Sequence, residues 1–150
     1  MSAEPLESLR PLDPTDLELV EAARQVIDAV TDAGPGEDGI HTMGAAVLAD
    51  DGRVFVGVNL YHFTGGPCAE LVALATARAG GAERLTRIVA VGNHGRGPVG
   101  PCGRDRQVLF DQHPGIRVIL PTQEGPRSVV IEDLMPLATA WSFEQGSEMA

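Results

Sequence analysis

Apolar residues recur along this chain with two different periods, and the switches between them mark out the elements. Leu19, Val20, Ala23, Val26, Ile27 and Val30 stand at helical spacing. The helix they predict starts with Asp13 as N-cap, Pro14 in the first helical position and Asp16 at the positive end of the dipole. Gly34-Pro35-Gly36 ends it. Residues 42–49 and 53–59 are β-rich runs joined by Asp50-Asp51-Gly52, which predicts a hairpin. Residues 61–67 read as a loop. Residues 69–79 are rich in Ala and Leu without a breaker, predicting a helix that Gly80-Gly81 stops.

The second half repeats the alternation. Residues 87–92 form a continuous apolar run, the mark of a strand covered on both faces. Residues 93–100 are a Gly-rich loop, and 103–112 a helix closed by Pro114-Gly115. Residues 116–120 and 129–131 read as strands. Residues 132–140 read as a last helix with Pro136 in its first turn. Strands alternating with helices predict one domain over residues 1–150, with a mixed sheet and helices on both faces. Residues 1–12 and 142–150 are expected to be loose tails. In such a sheet, the loops at the carboxyl ends of strands build the site.

Composition narrows the function classes. The net charge is −10 and the hydrophobic share 43%. A basic footprint for nucleic acid or an anionic membrane is absent. No run approaches the ~20 apolar residues that cross a bilayer, and the first ten residues have no secretory pattern. A cytoplasmic location is the expectation, with a small molecule rather than nucleic acid or a membrane as partner.

The two cysteines carry the chemistry. Gly66-Pro67-Cys68-Ala69-Glu70 and Pro101-Cys102-Gly103-Arg104-Asp105 each run from a loop into a predicted helix start. They read as the two halves of a zinc deaminase signature, a ligand-x-Glu followed by Pro-Cys-x-x-Cys. A thiolate is stabilised at a helix N-terminus. Cys102 and position 105 lie three apart on one helical face. The departure is Asp105, which stands where a third cysteine is expected. A carboxylate can ligate zinc with the same formal charge as a thiolate; alternatively, Asp105 pairs with Arg104 or Arg106 and the site holds no metal. A Cys68–Cys102 disulfide is a further alternative. Glu70 lies two residues past Cys68, placed to move protons beside a metal, or simply to complement a helix dipole. Arg104, Arg106 and Gln107 are candidates to support the ligands by charge or hydrogen bond. His41, His62, His94 and His113 are scattered and read as loop or surface residues.

These motifs resemble the cytidine deaminase family, and within it the branch that acts on blasticidin S. Val89-Ala90-Val91, Ile131 to Leu137 and Asp16 to Val20 resemble further segments of that branch. The resemblance implies a three-layer α/β/α sandwich with a mixed five-stranded sheet, a homotetramer with sites at subunit contacts, and Zn2+ held by Cys68, Cys102 and position 105. Glu70 is then the proton shuttle. Asn59, Tyr61, Ala69 and Trp141 are the expected substrate-binding residues: Asn59 resembles the sugar contact, and Tyr61 stands where the family usually has Glu. The implied reaction is deamination of a cytosine-containing nucleoside, blasticidin S first and cytidine as the alternative. A metal-free nucleoside-binding protein is the reading from another class.

Overall fold

The computed structural model describes residues 6–143. Helix α1 (Pro14–Val30) starts as its sequence predicts. Asp13 accepts from the Asp16 amide at 2.9 Å and Asp16 accepts from the Asp13 amide at 3.0 Å, a reciprocal capping box. Asp16 does more than meet the dipole. Its side chain is fully buried and receives the Arg87 guanidinium at 2.8 Å, which ties the helix start to the sheet.

Strands β1 (Met43–Ala49) and β2 (Val54–Val58) form the predicted hairpin. Helix α2 (Ala69–Ala79) carries the chain to β3 (Leu85–Gly92), which pairs antiparallel with β1. A short strand β4 (Gly97–Val99) folds back on β3 before helix α3 (Gly103–Gln112). Strand β5 (Arg117–Thr122) is parallel to β3, and β6 (Gly125–Val130) is antiparallel to β5. The order is β2-β1-β3-β5-β6, with β4 off that path, so the mixed sheet has six strands rather than five.

Alternation along the strands splits the core in two. Ala45, Val47, Ile88, Ala90 and Val118 face α2 and α3, while Ala46, Val89, Val91 and Ile119 face α1. The three-layer arrangement follows. Two glycines let the helices press on the sheet: a Cβ at Gly44 would sit 2.4 Å from the Ala23 carbonyl oxygen, and one at Gly57 would sit 2.6 Å from the Ala73 nitrogen. Neither position accepts a side chain without displacing a helix.

The ends differ from the sequence reading. The predicted helix over 132–140 is a single 3-10 turn, Ile131–Leu134. Pro136 has no N–H to continue a helix, and Leu137 adopts a positive φ of 57°. The inner part of the expected N-terminal tail is pinned. Arg10 exchanges backbone hydrogen bonds with Ser128, both at 2.9 Å, Ser8 Oγ accepts from the Val130 amide, and Arg117 donates to the Ser8 carbonyl. Residues 1–5 and 144–150, the outer parts of both expected tails, lie outside the described residues.

Candidate active site

The starts of two helices, α2 and α3, meet. Cys68 is the N-cap of α2 and Cys102 the N-cap of α3, both with extended backbone. Neither side chain caps its own helix. The thiols are thereby left to face each other, with the sulfurs 3.9 Å apart and unbonded. This answers the disulfide alternative: both cysteines are free thiols. One helical turn along α3 brings in Asp105. Donor atoms of Cys68, Cys102 and Asp105 all lie within 4.8 Å of one another.

The donors fit a metal ion. Two sulfurs on one tetrahedral zinc at ~2.3 Å each are about 3.8 Å apart, close to the separation found. Asp105 is 1% exposed, and its Oδ1 is buried with no hydrogen-bond partner. An orphaned carboxylate oxygen at that depth costs roughly 1–3 kcal/mol unless a cation or proton meets it. Asp105 makes no ion pair with Arg104 or Arg106 among the described residues: Arg104 goes to Cys68, and Arg106 donates Nε to the Pro101 carbonyl at 2.9 Å. The alternative of Asp105 pairing with its neighbours is not what the fold builds.

Charge in this pocket is crowded. Burial pushes the Cys68 thiol up to about 11, with Asp105 and Cys102 adding to the rise and the Arg104 guanidinium opposing it. Glu70, in the first turn of α2 and 7% exposed, is pushed up to about 7, first by burial and then by the Asp105 carboxylate beside it. A carboxyl poised near neutrality can both take and give a proton at working pH.

No protein-family model matches the chain. Over 96 residues it is 38% identical to a cytidine deaminase of Mycobacterium tuberculosis, covering 63% of this chain and 69% of that protein. Over 135 residues it is 31% identical to a blasticidin-S deaminase of Bacillus cereus, covering 81% and 90%. The chain belongs to the cytidine deaminase family. The crystal structure of a cytidine deaminase from Burkholderia pseudomallei superposes with a TM-score of 0.65 at 32% identity, over 82% of this chain and 98% of that one.

Measured as a cytidine deaminase-like fold, the chain brings together Cys68, Glu70, Cys102, Arg104 and Asp105. The other candidates are distributed. Ala69 is buried in the core under the first turn of α2. Asn59 and Tyr61 line a separate open cavity of about 730 Å3 whose walls include neither cysteine nor Glu70. The Asn59 side-chain oxygen accepts from the Thr42 and Met43 amides at 2.8 and 3.0 Å, so it also ties β2 to the start of β1. Gln107 donates to Asp111 and to the Thr139 carbonyl, and Trp141 packs on Phe143 while its amide meets Asp111. Both therefore hold the C-terminal segment to the far part of α3. No histidine belongs to the group that could hold a metal among the described residues. Sequence reading missed the acidic wall of the cavity beside Asn59: Asp32, Glu37 and Asp38, opposed by Arg96. Its only sequence signal is three carboxylates around Gly34-Pro35-Gly36.

Proposed function

We propose that the chain is a zinc-dependent hydrolytic deaminase of a cytosine-containing nucleoside, with blasticidin S as preferred substrate. The observation that carries this is the convergence of two free thiols and an orphaned buried carboxylate beside a Glu poised near pH 7. Cys68, Cys102 and Asp105 are the ligands. When bound, zinc supplies a Lewis acid and makes water a nucleophile near neutral pH. Glu70 takes one proton from water and gives it to the ring nitrogen, then carries the second, from the hydroxyl that has joined ring carbon 4, to the departing amine. Water's oxygen replaces the amino group on ring carbon 4, and ammonia leaves.

Two features support blasticidin S, a cationic nucleoside. The match to the blasticidin-S deaminase extends over more of the chain than the match to the M. tuberculosis enzyme. The cavity beside Asn59 and Tyr61 is lined by Asp32, Glu37 and Asp38, a wall suited to positive charge. Cytidine is the second reading, favoured by the higher identity to the cytidine deaminases. In this reading Asn59, Tyr61 and Trp141 contact substrate within an assembly. Exposed Phe63, Tyr61 and Phe143 supply apolar surface for a homotetramer of single-domain chains. No helix among the described residues is long and apolar enough to cross a membrane; a cytoplasmic location completes the proposal.

The test uses zinc-loaded protein and follows ammonia release and the spectral change of each nucleoside. Glu70→Gln should keep its zinc and lose about 10²- to 10⁴-fold in turnover. Turnover that survives in this variant would remove Glu70 from the chemistry, and wild-type protein that releases no ammonia from either nucleoside would remove the function.

A further inference from the structure

The chain has two cysteines, and both stand in the donor set. They come from separate elements, Cys68 ahead of α2 and Cys102 ahead of α3, 34 residues apart in sequence. Each is an N-cap with extended backbone, and neither side chain is held by its own helix. Their sulfurs lie 3.9 Å apart. A disulfide needs ~2.05 Å, so closing the pair takes about 2 Å of travel. Two side chains share that travel, and each can turn about its Cα–Cβ bond without unwinding a helix.

The third donor decides how oxidation ends. It is Asp105, within 4.8 Å of both sulfurs, and a carboxylate takes no part in disulfide chemistry. One pairing is therefore open to the chain, and the carboxylate is left intact for the site to reform. Cys102 is exposed and Cys68 half-buried, so Cys102 meets a dissolved oxidant first. A sulfur bound to a metal ion shares the electron pair that attack requires, and a disulfide sulfur has no thiolate to offer a metal. Metal and disulfide exclude one another.

We propose that Cys68 and Cys102 form a redox switch: a hydroperoxide closes them into a disulfide when the metal is absent, and the closed pair cannot take metal up until a thiol reductant opens it. The exclusion of metal rests on the metal-dependent reading above. In the first step Cys102 Sγ attacks one peroxide oxygen. The S–O bond forms, the O–O bond breaks, and sulfur is oxidised to a sulfenic acid. The peroxide is reduced to an alcohol or water, which takes the thiol proton. In the second step Cys68 Sγ attacks the Cys102 sulfur. The S–S bond forms, the S–O bond breaks, and hydroxide leaves with the Cys68 proton as water. Two thiols and one hydroperoxide thus give one disulfide, one alcohol or water from the peroxide, and one further water.

Full-length protein is stripped with chelator, the chelator is removed, and hydrogen peroxide is added to this sample and to a zinc-loaded one. Intact mass without reductant, a thiol titration and zinc uptake are then read. The metal-free sample is expected to become a monomer lighter by two hydrogens, with loss of both titratable thiols and of zinc uptake. Dithiothreitol should restore all three. The zinc-loaded sample should keep its thiols. Cys68→Ser leaves Cys102 without a partner, so its sulfenic acid should persist and be tagged by dimedone. Metal-free protein that keeps its thiols, links into dimers, or gains oxygen instead of losing hydrogen would overturn the proposal. So would an untagged Cys102 in C68S, or thiol loss as fast with zinc as without it. Protein that takes up zinc but never closes the disulfide overturns the switch alone; protein that takes up no zinc before oxidation overturns the metal reading and the switch with it.

Discussion

In the proposed zinc reading, Asp105 makes opposite demands on the protein with and without metal, and one substitution separates them. Asp105→Asn keeps the shape and removes the charge. In the metal-free chain, the carboxylate is 1% exposed with an orphaned Oδ1, and it presses on a second carboxyl, Glu70, that is 7% exposed. Leaving such a group unmet costs roughly 1–3 kcal/mol. An amide still wants partners, so relief of about 1–2 kcal/mol is expected, or about 2–8 °C in the melting midpoint for a chain of this size. Zinc reverses the order. At a free concentration 100 times its Kd, a ligand stabilises the native state by about 2.7 kcal/mol; if the variant binds ~100-fold more weakly, the same zinc stabilises it by only about 0.4 kcal/mol. Thermal melts in chelator and then in excess zinc read both. D105N should melt above wild type in chelator and below it in zinc. A D105N protein that melts lower in chelator would mean the carboxylate is satisfied in the fold, and equal zinc shifts in the two proteins would mean Asp105 is no ligand.

Two further outcomes follow from the frame around the site. Leu109 is fully buried where α3 meets the sheet, so Leu109→Ala should cost about 3 kcal/mol and lower the midpoint by about 6–12 °C, read by calorimetry; a change under a third of that would mean the helix settles into the space. Burial holds the His113 imidazole below its ordinary value at the end of α3. The unfolded chain therefore takes up that proton first, so stability present above about pH 6.5 is lost as pH falls through the lowered folded value. Melting curves from pH 7.5 to 5 should slope less in His113→Gln than in wild type; parallel curves would mean the ring does not carry this dependence.

Local signals were readable and non-local ones were not. The α1 start was legible because an N-cap, a proline and an acidic first turn are written in four consecutive residues, Asp13 to Asp16; the reciprocal bond from Asp16 back to Asp13 was not. The cysteine halves were legible because each pairs a reactive residue with a helix start. Strand β4 was hidden: Gly97-Pro98-Val99 is too short to show a period, and it is a strand only because β3 supplies its partners. Strand β6 begins at Gly125 rather than 129, since β5 is its only partner strand and Pro126 is tolerated on such an edge. The last helix fails at Pro136, which interrupts it instead of starting it. At the site, the Glu70–Asp105 proximity and the reach of Arg104 depend on how two helices meet, and no spacing along the chain encodes that angle. The cavity near Asn59 is assembled in the same way, its acidic wall from the segment after α1 and its opposing Arg96 from the turn after β3.

The pairing of Arg10 with Ser128 has a consequence for how copies of this protein can meet. Strand β6 ends the sheet, and an open end is a template on which another strand can add. The stretch through Ser8 and Arg10 lies along that end and occupies backbone groups of Ser128 and Val130. Growth by sheet continuation is thereby blocked on this side. Copies that associate across this side must use helix faces and loops rather than added strands, and a chain cut back beyond Arg10 would gain a sticky border in place of a closed one.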